Sequence, residues 1–215
     1  MSLNYSLNRI RISTAALLVS ASLAAPAAAQ TGDPVASAVR SLVDISKIRI
    51  DNFGRVDANF YRGAQPKDRD YADLAALGIK TLINLTSDDR DVTEEGLVKK
   101  AGMKYVQIPM TTRQAPTVEE LAQFLKVVTD PASQPIYVHC VGGRHRTGVM
   151  TAVYRMTHDG WNADQAFSEM KKYKFGADFL HPEFKEFVYK YAGSLAAAAT
   201  ASPALATTKA VGGGK

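Results

Sequence analysis

Cys140 is the only cysteine of a 215-residue chain, and its neighbours are of the types that handle a phosphate. The stretch reads His139-Cys140-Val141-Gly142-Gly143-Arg144-His145-Arg146-Thr147-Gly148. Two adjacent glycines let a backbone curl so that successive amide N–H groups point at one centre, and a helix starting directly afterwards adds its free donors and positive dipole end there. Val141, Gly142, Gly143, Arg144, His145 and Thr147 are therefore the expected lining of an anion cradle. Cations and a helix N-terminus lower a cysteine pKa from about 8.5 into a range of roughly 3.5–7.5, so Cys140 is expected to be a thiolate nucleophile. Arg146, six residues on, offers a planar fork to two phosphate oxygens, a geometry lysine cannot copy. Thr147 could donate its hydroxyl hydrogen to the Cys140 sulfur and ease its departure. His139 reads as a residue that orients the loop.

Such a loop has to be slung between a strand and a helix. Residues 134–138 form a short apolar, β-rich run suited to a buried parallel strand, and residues 147–156 read as an apolar helix. From Gly78 the pattern alternates: strand 80–85, helix 93–101, strand 105–108, helix 118–129, then the strand before Cys140. This predicts an α/β fold, a single domain with a central, largely parallel sheet flanked by helices. Ligands of such sheets sit beyond the carboxyl ends of the strands, which puts the loops after Leu85 and Ile108 beside the cradle. Upstream, residues 48–53 and 59–62 suggest two short strands around a Gly54 turn, and residues 67–77 a helix. Downstream, helices over 162–172 and 182–191 cover the sheet, separated by a turn at Gly176.

His139-Cys140, five intervening residues, then Arg146-Thr147-Gly148 resembles the signature of the cysteine-dependent protein tyrosine and dual-specificity phosphatases. The loop ending Gly143-Arg144-His145-Arg146-Thr147-Gly148 is most similar to the plant and fungal type of atypical dual-specificity phosphatase. So is the opening stretch Tyr61-Arg62-Gly63-Ala64-Gln65-Pro66, and the likeness covers about residues 48–192. The resemblance implies a tyrosine phosphatase-like fold and cofactor-free hydrolysis of phosphotyrosine and other phosphoesters, with inositol pyrophosphates as substrates of some members. It leaves Arg62 open between a framework and a functional role.

One expected part is missing. Ordinary members of this superfamily carry an aspartic acid about thirty residues before the cysteine to protonate the leaving oxygen, yet residues 109–118 contain no carboxylate. Glu119 and Glu120 open the next helix, where acids suit its N-terminus, and Asp88, Asp89 and Asp91 lie in the loop after the 80–85 strand. The general acid is left unassigned among them. A general acid supplies roughly 10²–10⁴-fold, and most for poor leaving groups. Its absence tilts the expected substrate toward aryl phosphates and phosphoanhydrides, while Arg144 and His145 favour polyanions. The expected partner is thus a phosphorylated protein or a polyanionic small molecule such as an inositol phosphate.

The ends of the chain are of another kind. In residues 1–29, Arg9 and Arg11 precede an apolar run that closes on Pro26-Ala27-Ala28-Ala29, the form of a secretory signal peptide. The run is too short to span a bilayer and no other long one follows, so export to a periplasm and no membrane span in the mature chain are expected. Residues 30–47 read as a lead-in, 48–193 as the phosphatase domain and 194–215 as a disordered tail of Ala, Ser, Thr and Gly. Removing the leader lowers the formal charge from +5 to +3, 24 basic against 21 acidic residues, too little to imply nucleic-acid binding on bulk charge. Lys171, Lys172 and Lys174 form a basic run that suits a solvated face or an anionic substrate, and His158 and His181 are given no catalytic task.

Three other readings compete. A rhodanese-type sulfurtransferase also has a cysteine-centred anion loop and would turn over thiosulfate. An inactive phosphate-binding module would commonly lack the cysteine or the arginine. A metal-dependent hydrolase needs ligand spacing between the four histidines and carboxylates, which the sequence does not show.

Overall fold

The computed structural model describes residues 45–87 and 89–201. Five strands form one sheet: β1 (Gly54–Arg55), β2 (Phe60–Gly63), β3 (Thr81–Asn84), β4 (Lys104–Gln107) and β5 (Ile136–His139), in the order β1-β2-β5-β3-β4. β5 runs parallel to β2 on one side and to β3 on the other, β3 runs parallel to β4, and only β1 pairs antiparallel. The strand that delivers Cys140 is therefore the middle one. All four of its residues are buried, as parallel strands covered on both faces require.

Six helices cover the sheet: α1 (Asp70–Ala76), α2 (Glu94–Lys100), α3 (Val118–Val128), α4 (Arg146–His158), α5 (Ala163–Lys172) and α6 (Pro182–Ala201). Side chains alternate across a strand, so β5 feeds two cores. Ile136 and Val138 point into a cluster with Phe124 of α3, Val149 and Val153 of α4, Phe167 of α5 and Phe184 of α6. Tyr137 points the other way, among Tyr71 and Leu74 of α1, Val98 of α2 and Leu82 of β3. Each such side chain taken out of water contributes about 1.5–3 kcal/mol, which pins β5 from both faces.

Helix starts are set locally. Thr117 and Glu120 form a reciprocal cap on α3, Glu120 N donating to Thr117 Oγ1 at 3.2 Å and Thr117 N to Glu120 Oε2 at 2.7 Å. Asn162 and Gln165 do the same for α5.

Two expectations need correcting. Residues 48–53 are not a strand: Ile50 is buried, but the chain turns at Asn52, whose φ of 53° is a left-handed conformation that asparagine tolerates. The short hairpin instead pairs Gly54 with Arg62 and Arg55 with Tyr61. At the other end, α6 does not stop before Ser194 but continues to Ala201. Leu195 still packs on the core, and the alanines that follow have the highest helix propensity of any residue. The expected leader (1–29), all of the lead-in before Ile45, and the tail beyond Ala201 lie outside the described residues.

Candidate active site

Cys140 follows directly on β5 and is 3% exposed, at the floor of a loop that ends at the first turn of α4. Three successive carbonyls of that loop face outward and are held there. Val141 O accepts from Gln65 N at 3.1 Å, Gly142 O from Asn52 Nδ2 at 2.8 Å, and Gly143 O from Arg62 Nη2 at 2.6 Å. Peptide planarity sets N–H opposite C=O, so the amides of Gly142, Gly143 and Arg144 are turned inward. The cradle is thus built by tethering its outside. The first donors inside α4 are Gly148 N and Val149 N, which leaves the amides of Arg146 and Thr147 free of helical acceptors.

Gly143 has φ +62°, and a Cβ there would lie 2.4 Å from the backbone of Gly63. No other residue fits both that conformation and that approach. Gly63 is equally constrained, because its Cβ would meet Tyr137 Oη at 2.2 Å, where that hydroxyl donates to Ala64 O at 2.6 Å.

Arg146 is 3% exposed and reaches across the loop to the end of β3. Its Nη1 and Nη2 donate to the two carboxylate oxygens of Asp89 at 2.9 and 2.7 Å, and Nη1 also donates to Met110 O at 3.1 Å. A guanidinium has five N–H donors in a fixed plane, and these bonds use the end fork and the far edge. The remaining donors lie on the edge made by Nε and Nη2, and Arg146 also interacts with Cys140 beside it in the cleft. Hydrogen bonds from Arg146 hold the Asp89 carboxyl below the usual carboxylate range, against the opposing effect of partial burial. Asp89 is therefore an anion here, a poor proton donor.

Among the other acidic candidates, Asp91 Oδ1 accepts from the backbone and hydroxyl of Thr93, and Glu120 caps α3. Asp88 lies outside the described residues. Among the described acidic candidates, Asp89 alone lines the cleft of about 260 Å³ over Cys140, together with Thr112, Val141, Gly142, Arg144, His145 and Arg146.

His145 lines the same cleft, but its Nε2 lies 2.9 Å from Phe175 O, so that nitrogen carries the hydrogen and donates it. Burial lowers its pKa from the ordinary value, with His181 and the arginines Arg144 and Arg146 adding to the effect. His145 is accordingly neutral near pH 7, and the expected polyanion attraction falls to Arg144. His181, given no task from the sequence, stacks on it with ring centroids 3.8 Å apart.

His139 is fully buried, its ring stacked on Tyr137 and its Nε2 3.1 Å from Glu94 Oε1. Neither ring nitrogen meets a partner in hydrogen-bonding geometry. Glu94, also buried, accepts from Gln65 Nε2 at 2.5 Å, from Asn84 Nδ2 and from Tyr71 Oη at 3.3 Å. The Thr147 hydroxyl corrects one expectation: it is buried without a hydrogen-bond partner, so it makes no bond to the Cys140 sulfur.

The sequence missed Asn52, Arg62, Gln65 and Glu94 as supports of the loop. A signal existed for two of them, since Arg62 and Gln65 sit in the Tyr61–Pro66 stretch already noted. The histidine spacing also concealed a grouping of Asp57, His158 and Asp159. Those carboxylates are occupied, Asp57 by Tyr154 Oη at 2.7 Å and Asp159 by Arg155 Nη1 at 2.7 Å. A larger cleft of about 880 Å³ lies against α6, lined by Asp178, Phe179, Pro182, Lys185, Glu186, Tyr189 and Lys190, and holds neither cysteine nor phosphate cradle.

Comparison with known proteins agrees with this geometry. Residues 41–186 match the family described as DSP-PTPase phosphatase fused to NAD+ kinase. The chain belongs to that phosphatase family. It is 29% identical over 168 residues to the dual specificity protein phosphatase TpbA of Pseudomonas aeruginosa, covering 78% of this chain and 73% of TpbA. Against the inositol diphosphatase SIW14 of Saccharomyces cerevisiae it is 27% identical over 146 residues, 66% of this chain and 52% of that protein. The crystal structure of the SIW14 catalytic core in complex with citrate superposes with a TM-score of 0.58 at 25% identity, covering 72% of this chain and 96% of that one. The protein is a phosphatase of the dual-specificity and tyrosine phosphatase type.

Proposed function

We propose that this phosphatase works through a phosphocysteine at Cys140, without a metal, on aryl phosphates of the phosphotyrosine kind or on phosphoanhydrides. The observation that carries the reading is the placement of Cys140 at the floor of an inward-facing amide cradle closed by the remaining edge of Arg146. The sulfur anion attacks phosphorus as the P–O bond to the leaving group breaks, while the amides and Arg146 take up the charge on the equatorial oxygens. Water then attacks phosphorus, the S–P bond breaks, and phosphate leaves with the thiolate restored.

Substrate class follows from proton supply. The one acidic candidate that lines the cleft among the described residues is ionised against Arg146, so the leaving oxygen departs with little help and takes its proton from solvent. Phenolates and phosphates tolerate this and alkoxides do not. The relatives include a dual specificity protein phosphatase and an inositol diphosphatase, so both a phosphoester and a diphosphate substrate have precedent among them. Exposed Arg144 at the mouth favours the more anionic substrates.

The reading is tested with p-nitrophenyl phosphate in the presence of EDTA. Turnover by the wild type and none by a folded Cys140→Ser supports it. Thiosulfate turnover without phosphatase activity would instead select the sulfurtransferase. Export is part of the same proposal and rests on residues 1–29: mass spectrometry of the protein from its source cells should find a chain beginning near Gln30, and an intact Met1 in the cytosol would remove that part.

A further inference from the structure

Arg62 tethers the loop, yet its surroundings are unusual for a framework arginine. It lies on β2 between the sheet and the loop, fully buried, with its guanidinium 3.9 Å from the centre of the Tyr173 ring and Nη2 on Gly143 O. Among the described residues it has no ion-pair partner, and its Nε and Nη1 meet no protein acceptor. Burial opposes its charge, and the ionisable groups around it are Tyr173 and Glu169 from the α5 side, Cys140 from the loop and Tyr137 from β5. Glu169 is already held by Arg155, whose Nη2 donates to its Oε1 at 2.7 Å and whose Nε lies 3.3 Å from both its oxygens. Glu169 therefore acts on Arg62 only at a distance and makes no direct ion pair with it.

A buried, uncompensated cation is costly, and removing its counter-charge from a buried pair typically destabilises by several kcal/mol. A tether to one loop carbonyl does not require such a charge: on the neighbouring carbonyl, Gly142 O, the neutral amide of Asn52 does the same task. We propose that Arg62 is a second cation of the phosphate site, acting through the floor of the loop to balance the bound phosphoryl dianion and the Cys140 sulfur anion. Arg146 grips the phosphate from the cleft; Arg62 is a positioning residue that sets the field beneath it. The anion it awaits is the one the cradle is shaped to receive.

The proposal rests on the phosphatase reading, but binding of a phosphate mimic tests it apart from turnover. Tungstate binding to the full chain would be measured by calorimetry for the wild type, Arg62→Lys and Arg62→Gln. Glutamine keeps an amide donor for Gly143 O and removes the charge; lysine keeps the charge and loses the planar stack. Charge balance predicts that Arg62→Gln binds tungstate about tenfold more weakly or worse, while Arg62→Lys stays within about threefold of wild type. Alkylation of Cys140 by iodoacetamide at pH 7 should slow in the same order. Unchanged tungstate affinity in Arg62→Gln overturns the proposal, as does an equal loss in both variants, which would make the tether's shape the whole effect. If Arg62→Gln does not fold, Arg62→Lys carries the test: a folded lysine variant that loses tenfold in affinity contradicts it. Failure of the phosphocysteine mechanism would appear separately, as turnover retained in Cys140→Ser.

Discussion

Arg146 is held at three points before any substrate arrives, two on Asp89 and one on Met110 O. Its remaining edge is thereby aimed rather than merely nearby. Arg146→Lys keeps the charge but cannot hold Asp89 and grip two phosphate oxygens together, so kcat/KM for p-nitrophenyl phosphate should fall by about 10²-fold or more. Near-normal kcat/KM in that variant would make Arg146 structural. Asp89 carries the complementary test. Because Arg146 keeps it ionised, Asp89→Asn should lose no more activity on alkyl phosphates than on aryl ones, and the wild-type rate should depend steeply on leaving-group pKa. A selective loss of phosphoserine peptide turnover in Asp89→Asn would reveal a general acid. Cys140, Arg146 and the glycines between them were legible from spacing alone, because their chemistry depends on neighbours in the chain. Asp89 was only one of several carboxylates, because what singles it out is an ion pair spanning 57 residues.

At the scale of elements, the loop is shaped by a stretch that the sequence keeps far from it, with tethers that span 81 and 90 residues. Asn52 from the turn before β1, Arg62 on β2 and Gln65 just after it hold three consecutive carbonyls outward. The alternation of strands and helices made the parallel sheet readable, and the apolar run made β5 readable. The residue 48–53 run looked like a strand for the same reason, since Ile48, Ile50 and Phe53 are apolar and alternate in part, yet they pack against the core as a turn. Ala-rich residues after Gly193 looked structureless because alanine contributes little to a hydrophobic pattern, although Leu195 still anchors the helix. The His145 contact to Phe175 joins the loop to the segment between α5 and α6 and gives a pH dependence. Burial lowers the His145 pKa from its ordinary 6.5, so the fold favours the neutral ring. Its contribution to stability is present above 6.5 and is lost as pH falls through the lowered folded value. Thermal unfolding followed from pH 7.5 to 5 should show Tm falling on the acid side, and less so in His145→Gln, which can still donate to Phe175 O. An equal fall in both would place the titration elsewhere.

For the whole molecule, one sheet brings together a nucleophile from its central strand, a carboxylate from the loop after β3 and a buried cation from β2, all beyond the same strand ends. No helix among the described residues is long and apolar enough to cross a membrane. On the proposed mechanism, a chain without an obvious proton donor can still be a phosphatase, with the cradle and its cations acting on phosphorus and the substrate supplying a good leaving group. That account stands on a covalent intermediate. Acid quenching during turnover of an aryl phosphate, followed by mass spectrometry of the peptide containing Cys140, measures it directly. The account predicts the added mass of one phosphoryl group on Cys140 in the wild type and none in Cys140→Ser; steady turnover with Cys140 unmodified at every quench time, or turnover retained in Cys140→Ser, would contradict it.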